Sequence, residues 1–190
     1  MGLSIRFLQR TLHSRCCIYS RFLDSLIQHF LKRNTRLYIV FVDLKRCLDT
    51  IYRNGLWFKL HRAGIQGKFL RIIGDMYSKV KSCVKQCSSY SEYFQYAVGL
   101  RQGEVMSPLL FSLFIDDLEM FLQDNIECSL NIDDIVLILL LFADDMAILA
   151  KTPEDLQTSL DLLHTYCTNW GLEVNTTNTK IMVFRKRGNF

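Results

Sequence analysis

The chain has 190 residues, 49% of them hydrophobic, and a formal net charge of +4. That length holds one ordinary domain with a sizeable core and is short for two. The composition excludes a disordered chain, and the mild basic excess permits a polyanionic partner without demanding one. The seven cysteines are odd in number and form no C-x-x-C pair. This argues against a disulfide framework or a zinc site and for a reducing compartment. Cys83 and Cys87 have a ligand-like separation, but no matching His or Cys pair follows them.

The first 23 residues carry Arg6, Arg10, Arg15 and Arg21 and no acid. Such a stretch resembles a mitochondrial transit peptide and reads equally as a basic surface segment. MGLSIR opens like a myristoylation signal, but Arg6 stands where Ser or Thr is needed. Phe22 to Leu31 has helical apolar spacing, and Arg33 to Arg36 punctuates it. Leu37 to Leu44, LYIVFVDL, reads as a buried strand with Asp43 near its C-terminal end. Gly55–His61 and Lys68–Ser78 read as helices separated by an AGIQG turn. Val80 to Val98 is polar and Tyr-rich, with room for a hairpin.

Ser107-Pro108 starts a helix with Pro108 at its first position, running to about Leu122. Ile135 to Phe142 and Met146 to Ala150 are strands on either side of Asp144-Asp145. The apolar run there is far shorter than the roughly 20 residues of a membrane span. Pro153 opens a helix ended by Gly171, and the strand Lys180–Phe184 precedes a basic tail. Only Pro108 and Pro153 occur, and no Ser/Gly-rich linker marks a boundary. The pattern predicts an α+β protein, an antiparallel sheet with helices packed on one face.

LLFADDMAIL, from Leu140 to Leu149, places two like charges between apolar runs. At ~4 Å and an effective dielectric of about 20 they repel by roughly 4 kcal/mol. A hard divalent cation relieves this, because Mg²⁺ prefers carboxylate oxygens. Asp43, at the end of another buried strand, offers a third ligand. Three carboxylates without His or Cys suggest magnesium and phosphate chemistry. An isolated D-D pair on a surface hairpin is the competing reading, and the apolar flanks count against it.

GLRQGEVMSPLLFSLFIDDL, from Gly99 to Leu118, resembles the nucleotide-pocket segment of reverse transcriptases. The match is Gly99, Gln102, Gly103, Ser107, Pro108, Leu110 and Phe111. FVDLKRCLDTI, from Phe41, is similar to the strand bearing the first catalytic Asp, and LFADDMAIL to the strand bearing the second. WGLEVNTTNTKIMVF, from Trp170, is similar to the palm segment that follows. GLWFKLHRAGIQGKFLRIIGDMY, from Gly55, and the F-A-D-D form resemble retrotransposons that lack long terminal repeats, the LINE type.

The resemblance implies a right-hand polymerase palm with partial fingers and no thumb, truncated and partly degenerate. Residues 1–190 would be one reverse transcriptase domain, with 1–36 a fingers remnant and 37–187 the palm with some fingers elements. By the same resemblance Asp43, Asp144 and Asp145 are catalytic. With the backbone carbonyl of Leu44 they hold two Mg²⁺, or Mn²⁺. Leu48, Gln102, Gly103, Ser107 and Pro108 line the nucleotide or template pocket. Lys59, His61, Arg62, Lys68 and Arg71 offer phosphate contacts, a solvated helix face being the plainer role for most.

The implied partners are an RNA template, a DNA primer and dNTPs, without a membrane. The implied place is intracellular, nucleus or cytoplasm ahead of mitochondrion. The primer grip, thumb, endonuclease and RNase H are expected to be absent from this chain.

Two departures from the family pattern carry chemistry. Leu48, preceded by Cys47, stands where an aromatic ring usually excludes the ribose 2′-hydroxyl. Asn178 stands where the family has a lysine able to protonate pyrophosphate; if the strand began there, Lys180 would share a face with it and be the alternative acid. Two further readings are a non-catalytic nucleic-acid-binding remnant and a group II intron maturase, the latter favoured only by the transit-like N-terminus.

Overall fold

The computed structural model describes residues 17–126, 130–132, 135–137, 139–142 and 145–186. Asp144, most of the basic N-terminal stretch and the end of the basic tail lie outside them. The chain divides into two units, residues 1–44, 118–166 and 174–190 in the first, and 45–117 and 167–173 in the second.

The first unit is built on β1 (Leu37–Val42), whose β-branched and aromatic residues suit a strand buried on both faces. It lies between β10 (Lys180–Phe184) and β9 (Asp145–Ala150), and β8 (Leu139–Phe142) follows, giving an antiparallel order β10-β1-β9-β8. The register pairs Ile39 with Leu149, Phe41 with Ala147 and Leu37 with Phe184. Those residues share one face of the sheet. Helix α1 (Cys17–Lys32) lays Leu23, Leu26, Ile27 and Phe30 onto it, and the cluster is buried. Its i, i+3, i+4, i+7 spacing is the periodicity read from the sequence. The opposite face, Val40, Val42, Met146 and Ile148, is also buried. Thr35 ends α1 by donating from both its N–H and its hydroxyl to the Phe30 carbonyl.

The expected strand Ile135–Phe142 divides between two ladders. β7 (Ile135–Leu137) pairs back on β6 (Leu130–Ile132), and β8 joins the main sheet. An all-apolar run has no alternation to fix a single register, so its sequence reads as one strand. Helix α7 (Pro153–Trp170) has the predicted bounds. Gly171, at φ +69°, ends it, and Leu172 N–H returns to the Cys167 carbonyl.

In the second unit, the short helix α2 (Cys47–Thr50) leads into α3 (Arg53–Arg62) and α4 (Gly67–Ser78). Two nested ladders follow. β2 (Lys81–Ser82) pairs β5 (Phe94–Gln95), and β3 (Lys85–Gln86) pairs β4 (Ser89–Tyr90) inside it. The predicted helix from Ser107 to about Leu122 is instead two, α5 (Met106–Ile115) and, in the first unit, α6 (Leu118–Asn125). Lys59 Nζ donates to the Phe114 carbonyl at 2.7 Å, the acceptor that Leu118 N–H would use in an unbroken helix. Pro108 is the third residue of α5 rather than the first, still within the turn whose N–H groups have no helical acceptor.

Candidate polymerase site

The carboxylate end of the first unit is set by strand register. Val42 pairs with Met146, so Asp43 and Asp145 are the next residues on neighbouring strands at the same sheet end. Phe142 pairs with Asp145 across the β8–β9 hairpin. Asp144 belongs with this pair by sequence and lies outside the described residues.

Asp43 is held on several sides. Its N–H donates to Thr179 Oγ1 at 3.3 Å, and its carbonyl accepts from Asn175 N–H at 2.7 Å. Its carboxylate Oδ2 accepts the side-chain amides of Asn175 at 2.8 Å and Asn178 at 2.9 Å. Hydrogen bonds to an ionised carboxylate are the stronger kind and fix its orientation. Leu44 is buried and bridges to Val174, while Lys180, exposed, donates to the Thr177 carbonyl at 2.7 Å. Asn178, at the family's lysine position, thus acts on Asp43 as a neutral amide donor. The sequence flagged that position only as a missing acid; two asparagines three apart before a strand were the available sign.

The Asp43 carboxylate is a donor that fits a hard divalent cation and would not select zinc. Among the described residues no three His, Cys, Asp or Glu side chains come together, Asp144 lying outside that set.

The Gln102 loop belongs to the second unit and is built from α2 upward. Gly99 N–H donates to the Ile51 carbonyl at 2.8 Å and Leu100 N–H to the Leu48 carbonyl at 2.6 Å. These bonds tie residues 99–100 to the half-buried turn carrying Leu48. Gln102 Nε2 then reaches both carboxylate oxygens of Asp49, at 2.9 and 3.0 Å. Gln102, Gly103 and Pro108 are exposed. Ser107 is fully buried, its hydroxyl donating to the Arg101 carbonyl at 2.6 Å and lying 3.4 Å from the Tyr77 hydroxyl. It closes the loop from beneath.

Arg53 supports the same segment. Buried, it donates to the carbonyls of Gly99 (2.8 Å), Tyr96 (3.0 Å), Tyr77 (3.1 Å) and Val98 (3.4 Å). Asp49 and Arg53 were not singled out in the sequence, since an Asp and an Arg near a helix start read as surface charge.

Of the basic residues offered for phosphate contact, His61, Arg62, Lys68 and Arg71 are exposed and Lys59 is not. Lys59 Nζ bonds Asp117 at 2.7 Å and lies 3.7 Å from the Trp170 ring centre and 4.6 Å from that of Phe114. Burial pushes its pKa down to about 8 against the opposing pull of Asp117. It is a structural cation.

An antiparallel sheet backed by helices, with Asp43 just past its central strand and Asp145 opening the neighbouring one, has the architecture of a right-hand polymerase palm. The fold is similar to that of apo telomerase from Candida tropicalis, truncated from its C-terminal domain. The TM-score is 0.64 at 18% identity, covering 89% of this chain and 36% of that one. Residues 5–190 match the family described as "Reverse transcriptase (RNA-dependent DNA polymerase)", and the chain belongs to that family. It is 28% identical over 152 residues to the "Retrovirus-related Pol polyprotein from type-1 retrotransposable element R2" of Nasonia vitripennis. It is 24% identical over 160 residues to the "RNA-directed DNA polymerase from mobile element jockey" of Drosophila melanogaster. These matches cover 80% and 77% of this chain and 15% and 16% of those proteins. The relatives bear out the LINE-type resemblance carried by the sequence. Among the described residues no helix is long and apolar enough to cross a membrane.

Proposed function

We propose that this chain is the palm-centred part of an RNA-directed DNA polymerase of a retrotransposon, adding deoxynucleotides to a primer 3′-hydroxyl on an RNA template. The observation that carries the reading is the register that sets Asp43 and Asp145 side by side, with Asp43 clamped by Asn175 and Asn178. Asp43, Asp144, Asp145 and the Leu44 carbonyl would hold two Mg²⁺, or Mn²⁺ in their place. When bound, such ions activate the attacking 3′-hydroxyl and stabilise the pyrophosphate that leaves. The asparagine amides orient the Asp43 carboxylate toward that task. The loop of Gln102 and Gly103 presents exposed amide groups to nucleotide or template, with Asp49 fixing the Gln102 amide. By the family resemblance Leu48 would meet the nucleotide sugar, and Lys180 would be the general acid for the departing pyrophosphate.

Positioning supplies most of phosphoryl-transfer catalysis, so the test is direct. Primer extension on an RNA template with Mg²⁺ is expected, and Asp144→Asn should abolish it. The second reading, a nucleic-acid-binding remnant without catalysis, is favoured by Asn178 in the lysine position. RNA binding without extension by either form would select it.

A further inference from the structure

The second unit holds a cavity of about 620 Å³ lined by Lys79, Val80, Lys81, Tyr93, Tyr96 and Arg101. Three cations and two phenol rings around one opening meet the needs of a phosphate-linked base: a positive charge for the phosphate and a flat face for the base. We propose that this cavity is a subsite for single-stranded RNA, in which Tyr93 stacks on a base while Lys79 and Lys81 hold the adjoining phosphates.

Four observations carry it. Lys79 and Lys81 are exposed and carry no ion pair among the described residues. Tyr93 is 72% exposed, a large ring left in water with no core function. The walls are firm: the Arg53 guanidinium lies 5.0 Å from the Tyr96 ring centre and bonds the Tyr96 carbonyl. Arg101 is fixed by Glu104 at 2.6 Å and the Met76 carbonyl at 2.7 Å.

The surface also continues past the cavity. Lys85 sits 5.5 Å from the Tyr90 ring centre, and Tyr90 and Phe94 are exposed on the nested ladders. From residue 79 to 101 the chain has four cations (Lys79, Lys81, Lys85, Arg101), four aromatic rings (Tyr90, Tyr93, Phe94, Tyr96) and one acid, Glu92. A mononucleotide would need only the cavity; a surface of this length fits a strand of several nucleotides. Base-paired RNA presents no free base face to Tyr93, so the subsite selects single strands.

Arg101 both lines the cavity and directly precedes Gln102, so a strand held here leads onto the Gln102 loop within the same unit. The inference rests on the proposed polymerase reading only for which RNA is bound; binding itself needs neither metal nor dNTP.

The test is fluorescence anisotropy of a labelled single-stranded oligoribonucleotide with the 190-residue chain, in EDTA and without dNTP. Tyr93→Ala should weaken binding about 5- to 100-fold and Tyr93→Phe should restore it, since stacking needs the ring and not the hydroxyl. Lys81→Ala should lower the salt slope by about 0.7. Affinity for duplex RNA should be unchanged in Tyr93→Ala. Equal affinity of Tyr93→Ala and wild type for the single strand, or equal loss for duplex, would overturn the subsite. So would displacement of the oligomer by a mononucleotide at matched nucleotide concentration. If wild type fails to extend a primer yet shows the Tyr93-dependent binding, the subsite stands and the polymerase reading falls.

Discussion

Replacing Gly99 by alanine tests the join between the Leu48 turn and the Gln102 loop. Gly99 has φ +79°, and a Cβ there would lie 2.4 Å from the Asp49 carbonyl oxygen and 2.8 Å from its carbon. Both atoms are backbone, so no side-chain rotation relieves the clash. A left-handed conformation costs a non-glycine residue about 1–2 kcal/mol. Overpacking against a fixed partner adds about 1–3 kcal/mol. Gly99→Ala should therefore lose about 2–5 kcal/mol. Gly103 separates the two contributions, because its φ is +84° with nothing within 4 Å of an added Cβ. Gly103→Ala should lose only the conformational part, about 1–2 kcal/mol. Urea unfolding followed by circular dichroism gives both values, and the midpoints should order as wild type, Gly103→Ala, Gly99→Ala. Equal losses in the two variants would refute the claim that the Asp49 backbone abuts Gly99.

Three further outcomes are expected. Lys59, lowered from 10.5 to about 8 by burial, is a group whose folded state sheds its proton first. Between about pH 8 and 10.5 the unfolded chain holds a proton that the folded chain has lost, so stability rises with pH through that window. The stability of wild type relative to Lys59→Met should climb by about 3 kcal/mol across it, at about 1.4 kcal/mol per pH unit; a flat difference in urea titrations would count against it. Cys167, pushed up to about 11 by burial, works in the opposite sense above pH 9 but is common to both proteins and cancels. Leu48→Phe should sharpen rejection of ribonucleotides by about 5- to 150-fold in single-nucleotide incorporation, the equivalent of about 1–3 kcal/mol of overpacking against a 2′-hydroxyl. Identical discrimination by the two forms would remove Leu48 from the sugar site. Asn175→Ala, which takes one amide from the Asp43 carboxylate, should weaken Mn²⁺ binding about tenfold by calorimetry, and unchanged affinity would show that the amide does not orient a metal ligand.

The sheet was legible because its chemistry is local. From Tyr38 to Val42 the chain is β-branched or aromatic throughout, Lys180–Phe184 follows a turn, and Pro153 and Gly171 bracket a helix with strong periodicity. The aspartates were legible as charges placed where apolar neighbours make them costly. Lys59 was not. A lysine on a helix reads as solvated, and the rings that cage it, Phe114 and Trp170, come from distant parts of the chain. The same long-range bond to the Phe114 carbonyl hid the break between α5 and α6, where the apolar pattern runs on without pause. Asp49 and the amide role of Asn178 are illegible for a related reason: each acts on another polar side chain, and no periodicity records a pair of hydrogen-bonding partners far apart in sequence.

β10 is the outer strand of the main sheet, and its outward-facing backbone groups have no strand beyond them among the described residues. Ile181 and Val183 on it are 58% and 51% exposed. Such an edge is a template for another copy of itself, and here the guard is electrostatic: Lys180 at one end, Arg185 and Lys186 just past the other. Mutual repulsion of these cations keeps two edges apart only while their fields reach across the gap. At 0.1 M salt that reach is about 10 Å, and at 1 M about 3 Å. The chain should therefore stay colloidally dispersed in dilute buffer and begin to associate edge to edge as salt is raised, the reverse of salting-in.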